Sequence, residues 1–316
     1  MRDEAAEPLW PRRRSRVARS LVGLGQISLD RVGVVARWPR RGEKQVLEEE
    51  LLLPGGQIAT ALLAAAQQGV PGALVAAVGV DEAAQQALAP LRAAGVDVSD
   101  VRAFPGVATR QAWLLCERDS AERTIFERRD PALRLRAEDV PPSRVESAAA
   151  LLVDAEHPEA SLRAVALARR AGVATLCDVE RADEASWAIL REVDFPIVSQ
   201  GFADECWSGS SAEAALARLV GPATRMAVLT RGARGALARW GDRVLEVPAL
   251  RIDALDTTGA GDVFRGSFAV ALLAGCGARD VLEWANAAAG LACLGRGAQG
   301  ALPRAAEVEA RLRRVG

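Results

Sequence analysis

The sequence predicts an α/β fold, a doubly wound and mainly parallel sheet with a small antiparallel β lid. Three observations carry this. Short apolar runs alternate with helical stretches along most of the chain, two polar-interleaved segments break that rhythm, and the last third is largely helical. Strands that alternate with crossover helices must run parallel and be covered on both faces.

The elements follow in order from Ser20. "SLVGLG" and "ALVAAVG" are β-type runs, and the second leads into the helical "DEAAQQALAPLRAAG". "ALLVDAE" precedes "PEASLRAVALARRAG", and "VATLCDVE" precedes "ADEASWAILREV". "FPIVSQ" and "RMAVLTRG" flank the helix-like "SAEAALARLVG". "DVFRGSFAVALLAG", "ARDVLEWANAAAGLACLG" and "RAAEVEARLRRV" are helical, and the apolar "GSFAVALLAGCG" is a buried helix, too short for a membrane span. The interruptions, 31–54 and 109–129, have polar residues among apolar ones and read as extended hairpins. They are either plain surface hairpins or a lid over the carboxyl edge of the sheet, where open α/β sheets bind ligands. With no linker or repeat, residues 20–316 form one domain, and 1–19 are a solvated, disordered basic tail without the apolar stretch of a secretory signal.

Composition excludes several functions. The 316 residues carry a formal net charge of −1, so no global field recruits nucleic acid or an anionic membrane. The five cysteines are widely spaced and accompany a single histidine, which argues against a zinc site or a disulfide framework and for a reducing cytoplasm. Lys44 is the only lysine and is followed by Gln45, so neither a Walker A loop nor a protein-kinase strand lysine is available. "GLGQIS" lacks the third glycine of a dinucleotide fingerprint.

The most informative stretch is "DTTGAGDVF", 256–264. Gly259, Ala260 and Gly261 precede a helical run that begins near Asp262. Helix N-termini present unpaired N–H groups, and a backbone without bulky side chains lets an oxyanion approach them. A carboxylate beside that anion can accept a proton from a hydroxyl during phosphoryl transfer. Taken alone, Gly-Ala-Gly-Asp reads as an ordinary helix cap.

"DTTGAGDVF" resembles the C-terminal signature of the PfkB/ribokinase carbohydrate kinases, and the resemblance spans residues 20–305. "VGLGQISLD" resembles the opening strand, whose terminal Asp30 would bind sugar hydroxyls. "PGGQIATALLAAAQQG" resembles the N-terminal signature, which would lay Gly55 and Gly56 against the sugar. "LTRGARGAL" resembles the nucleotide loop, with Thr230, Gly232 and Gly235 at matching positions. "ANAAAGLACLGRGAQGALP" resembles the helix and loop around adenine, with Asn286 and Thr258 as further nucleotide contacts.

The resemblance implies an ATP-dependent sugar kinase that uses Mg2+, with Asp262 as base and residues 259–261 as anion hole. It implies K+ beside Asp256 and Thr258, and a homodimer whose lids clasp. It also places Glu156, and Asp154 beside it, in the substrate cleft, with a strand-end cap as the lesser reading of both. His157 reads as a solvated loop residue. Two positions depart from the family pattern. Thr60 stands where asparagine is usual, and "VSQGFADEC" lacks the Asn-x-x-Glu that helps place magnesium, with only Glu205 nearby. The acceptor is expected to be a neutral or weakly acidic sugar, unless lid arginines such as Arg110 or Arg123 bind an anion. The alternatives are a nucleoside kinase, for which Trp113 and Trp38 are the available grips on a base, and a non-catalytic sugar sensor.

Overall fold

The computed structural model describes residues 8–10, 20–118 and 123–313. Its first half runs β1 (Leu21–Leu24), β2 (Ser28–Val35), β3 (Glu49–Gly55), α1 (Gln57–Gln67), β4 (Gly72–Gly79), α2 (Glu82–Ala93), β5 (Val101–Phe104), β6 (Gln111–Glu117) and β7 (Arg123–Arg128). It continues with α3 (Pro142–Ser147), β8 (Ala150–Asp154), α4 (Pro158–Arg170), β9 (Ala174–Asp178), α5 (Glu184–Glu192), β10 (Phe195–Ser199), α6 (Gln200–Cys206), α7 (Ala212–Leu219) and β11 (Met226–Thr230). β12 (Ala236–Trp240), β13 (Arg243–Val247), α8 (Ala260–Ala274), α9 (Ala278–Ala292) and α10 (Ala305–Leu312) complete it.

Among the described residues the main sheet has the order β13-β12-β11-β10-β9-β8-β1-β4-β5. Every pair from β11 to β5 is parallel, as the alternating sequence requires. β12 and β13 add an antiparallel edge that the sequence reading lacked. Successive strand residues face opposite layers. Leu21, Leu74 and Leu152 pack with α1, α8 and α9 on one side, while Val22, Val75 and Val153 pack with α4, α5 and α7 on the other. This burial on both faces is why β4, "GALVAAVG", is apolar throughout. Asp81, Asp183 and Ser211 cap α2, α5 and α7 by accepting the N–H of Ala84, Ser186 and Ala214.

The interrupting segments form a second sheet in the order β3-β2-β6-β7. Both outer pairs are antiparallel, as expected, but the central pair, β2 with β6, is parallel. One cross-strand row carries Asp30, Ala112 and Glu127, and the adjacent row, on the opposite face, carries Leu52, Arg31, Trp113 and Phe126.

Most of the expected N-terminal tail lies outside the described residues. Within it, Leu9 and Trp10 depart from a solvated tail. Leu9 is buried and its N–H donates to Cys276 O, while the Trp10 ring meets Phe195 edge-on beneath Arg225.

Candidate active site

Parallel pairing brings the carboxyl ends of β1, β8, β9, β10 and β11 to one edge, and the lid stands over it. The cavity between them measures about 330 Å3. Its wall includes Asp30 and Glu127 from the lid, Asp178 and Glu180 from the end of β9, Ser199 and Thr230 from the next two strand ends, and Thr258, Gly259, Gly261 and Asp262 from the start of α8.

The start of α8 differs from the sequence reading in one respect. The helix begins at Ala260, slightly before Asp262, with Gly259 as its N-cap and no capping side chain. Asp262 therefore sits within the first turn and caps nothing. Ala260 N–H donates to Thr257 O and Val263 N–H to Gly259 O, so the N–H groups of Gly261 and Asp262 are the ones helical geometry leaves for an anion. Gly259 has φ +76, and a Cβ there would lie 2.6 Å from Ala298 Cα. Glycine is the residue that allows both the left-handed turn and this contact. Asp256 braces the loop, accepting N–H bonds of 2.8 Å from both Thr258 and Gly297.

Asp262 is partly exposed to the cavity. Burial, and then the neighbouring Asp178 carboxylate, raise its pKa well above the ordinary carboxylate value, against the pull of Arg265. Asp178 is also raised, chiefly by burial, with Arg265 opposing. Across the cavity, Ser28 Oγ donates to Asp30 at 2.8 Å. Burial raises the Asp30 pKa, and Ser28 and Arg110 partly offset the rise. Gly55 lies so close to the Asp30 carboxylate that any Cβ would overlap it. Gly56 borders the same wall as the N-cap of α1.

Several expected site residues lie elsewhere. Thr60 is fully buried in α1, where its Oγ1 accepts from Gln299 Nε2 at 3.3 Å, and it is not on the cavity wall. Glu156 borders a smaller side pocket, where it pairs with Arg110 and, at 3.4 Å, with Arg129. Arg110 is only 3% exposed and also pairs with Glu127, so these carboxylates neutralise it. The side chain of Arg123 is outside the described set. Asp154 points inward, accepting the N–H groups of Gln26 and Glu156, and burial pushes its pKa up to about 7. His157 is not solvated. It is 3% exposed, its Nδ1 accepts from Leu135 N–H at 3.4 Å, and desolvation lowers its pKa to about 4.

Of the nucleotide-side positions, Thr230 borders the cavity. Gly232 and Gly235 shape the turn after it, and Asn286 Nδ2 donates to Val247 O at 3.1 Å, which anchors α9 to β13 beyond that wall. Trp113 lies on the outer face of the lid, and Trp38 stacks on Phe126 of that same face. Neither tryptophan reaches the cavity wall. Glu205 is exposed on α6 and away from the wall, so "VSQGFADEC" supplies no carboxylate for magnesium there. No cluster of three or more His, Cys, Asp or Glu suited to a metal occurs among the described residues.

The sequence reading missed Asp178, Arg265, Gln57 and Glu127. A signal existed for two of them. Arg265 interrupts the apolar run of α8 and, once buried, needs a partner, while "CDVE" ends a strand on two carboxylates.

The model of the pfkB family of carbohydrate kinases matches residues 18–305. The chain belongs to that family. It is therefore a phosphotransferase with an alcohol group as acceptor. It is 26% identical to the ribokinase of Bacillus subtilis over 304 residues, which covers 92% of this chain and 98% of the relative. It is 24% identical to a nucleoside kinase of Methanothermobacter thermautotrophicus over 301 residues, or 92% and 94% of the two chains. A solved putative ribokinase from Agrobacterium tumefaciens superposes with a TM-score of 0.87 at 26% identity, covering 94% of this chain and 98% of that one.

Proposed function

We propose that this kinase transfers the γ-phosphoryl group of ATP to a hydroxyl of an uncharged sugar, with Asp262 as general base. The observation that carries the reading is the placement of Asp262 within the first turn of α8, beside the bare backbone of 259–261 and in the cavity that Asp30 borders from the lid. Asp30 accepts hydrogen bonds from sugar hydroxyls, with Gly55 and Gly56 against the ring. The N–H groups of Gly261 and Asp262 hold the transferring phosphoryl oxygens, and the acceptor oxygen attacks in line as Asp262 takes its proton. Thr258, Thr230, Gly232, Gly235 and Asn286 lie along the nucleotide side.

The charge of the wall favours an uncharged acceptor. Asp30, Glu127, Asp178, Glu180 and Asp262 line it, with Arg265 as the cation, and Arg265 is paired with Asp178. A sugar phosphate would need a convergent cationic pocket. Trp113 and Trp38, the two side chains offered as grips on a base, lie off the cavity wall, which favours a sugar over a nucleoside. Retention of Asp262 speaks against a sugar sensor, which needs no base. A coupled ATP-turnover assay over free sugars, sugar phosphates and nucleosides tests this. Turnover of a free sugar is expected, and preference for a phosphorylated sugar or a nucleoside overturns it.

Magnesium enters with the nucleotide, since the 198–206 segment does not fit a protein-held ion. It would neutralise phosphate charge. Potassium beside Thr258 and Asp256 would draw on backbone carbonyls of the 292–301 loop, because the Asp256 carboxylate already accepts two N–H bonds. Equal rates with potassium and with tetramethylammonium would exclude it. The protein is a homodimer through its lids. Leu52, Trp113 and Phe126 are exposed apolar side chains on the outer lid face, in a row that Arg31 interrupts, and such apolar surface is normally covered. It works in the cytoplasm, consistent with the thiols Cys177, Cys206 and Cys293. No helix among the described residues is long and apolar enough to cross a membrane. Recovery of the native protein in a membrane or secreted fraction contradicts this location.

A further inference from the structure

Arg265 lies one turn beyond Asp262 on α8 and is 4% exposed. A guanidinium buried so fully must be matched by charge and hydrogen bonds. Its Nη2 donates to Ile197 O at 3.0 Å and stands 3.1 Å from Asp178 Oδ1. Gln57 Nε2 approaches that same oxygen at 3.4 Å from α1. Asp178 Oδ2 is sealed from solvent and finds no donor among these groups. Asp262 stands with Asp178 on the same cavity wall and is the neighbouring carboxyl that bears on its charge.

Two neighbouring carboxylates resist ionising together, and one guanidinium balances only one of them. A proton between the two satisfies Asp178 Oδ2 and closes the charge count. We propose that Asp178 is a positioning residue for the base, and that it forms with Asp262 a carboxylate pair holding one proton, with Arg265 as its fixed counter-charge. The proposal rests on the reading of Asp262 as base.

The charged groups that face the pair are Arg265 from α8 and Glu180 from the loop after β9. Glu180 adds to the repulsion that favours protonation, while Arg265 opposes it. In the free protein the shared proton must leave before Asp262 can accept another. During transfer the acceptor oxygen bonds to the γ-phosphorus and the bond from that phosphorus to the ADP oxygen breaks. The hydroxyl proton moves to Asp262, where it is again hydrogen-bonded to Asp178. Asp178 thereby stabilises the protonated product of the step and makes Asp262 a stronger base.

The test is kcat/KM against pH for the wild type, Asp178→Asn and Arg265→Gln, together with a carbon-13 carboxyl NMR titration of the free wild-type protein. The wild-type acid limb should lie at least about one pH unit above the ordinary carboxylate value of roughly 4. Asp178→Asn should move it down by about one unit or more, and Arg265→Gln should move it up, because the cation favours the ionised form. If Asp178 serves only the fold, its variant loses kcat and leaves the limb in place, a result that overturns the proposal. The NMR titration should show two coupled steps shared by both carboxyls. Independent single steps near 4 overturn the proposal even if neither variant folds. Because the titration requires no turnover, it distinguishes failure of the pair from failure of Asp262 as base.

Discussion

Gly259→Ala combines two separable penalties at the anion hole. The residue has φ +76, and moving an L side chain into that region costs about 1–2 kcal/mol. The added Cβ would also lie 2.6 Å from Ala298 Cα and 2.7 Å from its Cβ, against a comfortable carbon separation of about 3.5–4 Å. The Ala298 loop or the turn must therefore retreat by about 1 Å, and overpacking of this kind costs a further 1–3 kcal/mol or so. The combined loss of roughly 2–5 kcal/mol corresponds to a melting temperature lowered by about 5–15 °C. A displacement of about 1 Å in the groups that hold the phosphoryl oxygens is worth about a hundredfold in rate. Gly106→Ala isolates the first penalty, since Gly106 has φ +74, is exposed, and has nothing within 4 Å of its added Cβ. Thermal melts and kcat measured on both variants decide the matter. Gly106→Ala should lose a few degrees and keep its activity. If Gly259→Ala matches it in both respects, the close packing of the anion hole has no functional weight.

Asp30→Asn keeps the shape of the sugar-side wall and loses its charge, so KM for the sugar should rise about 10- to 100-fold with the melting temperature little changed; an unchanged KM removes Asp30 from the sugar site. His157→Gln should reduce acid sensitivity. The folded-state pKa of His157 is lowered to about 4, so its neutral form stabilises the native state above about 6.5, and that contribution is lost as pH falls from there toward 4. The amount is about 3 kcal/mol. Asp154, raised to about 7, acts in the opposite direction across the same window, so the informative quantity is the difference between variant and wild type in urea denaturation at pH 7 and pH 4.5; equal losses in both contradict the burial argument. Trp113→Glu places a charge on the outer lid face, where the side chain is 42% exposed, and should yield monomers by light scattering at micromolar concentration; an unchanged assembly places the interface elsewhere.

The alternation of apolar runs with helices made the parallel sheet legible, because strands buried on both faces have little polar choice. The lid was legible for the opposite reason, since its strands interleave polar residues such as Asp30, Arg31 and Glu127 with apolar ones. The pairing of β2 with β6 was not, because parallel partners distant in sequence leave no local turn signal. The β12–β13 hairpin did leave one, in Gly241 between two short strand-like runs. In the site, Asp262 and the glycines stand together in the chain and could be read there. Asp178 and Arg265 meet only after folding, from β9 and α8, as do Arg110 and Glu156. His157 looked like a solvated residue because its hydrogen-bond partner, the Leu135 N–H, lies 22 residues earlier in the chain.

Asp262→Asn tests the central claim most directly. The volume is nearly unchanged and, since Gly259 and not Asp262 is the N-cap of α8, no cap is lost. Removal of a general base typically lowers the rate by about 10²- to 10⁴-fold. The account predicts kcat reduced at least about a hundredfold, with ATP affinity within a few-fold and a melting temperature at or slightly above that of the wild type, because a carboxyl whose charge Asp178 disfavours has been replaced by a neutral group. Near-normal kcat in a folded Asp262→Asn protein would contradict it.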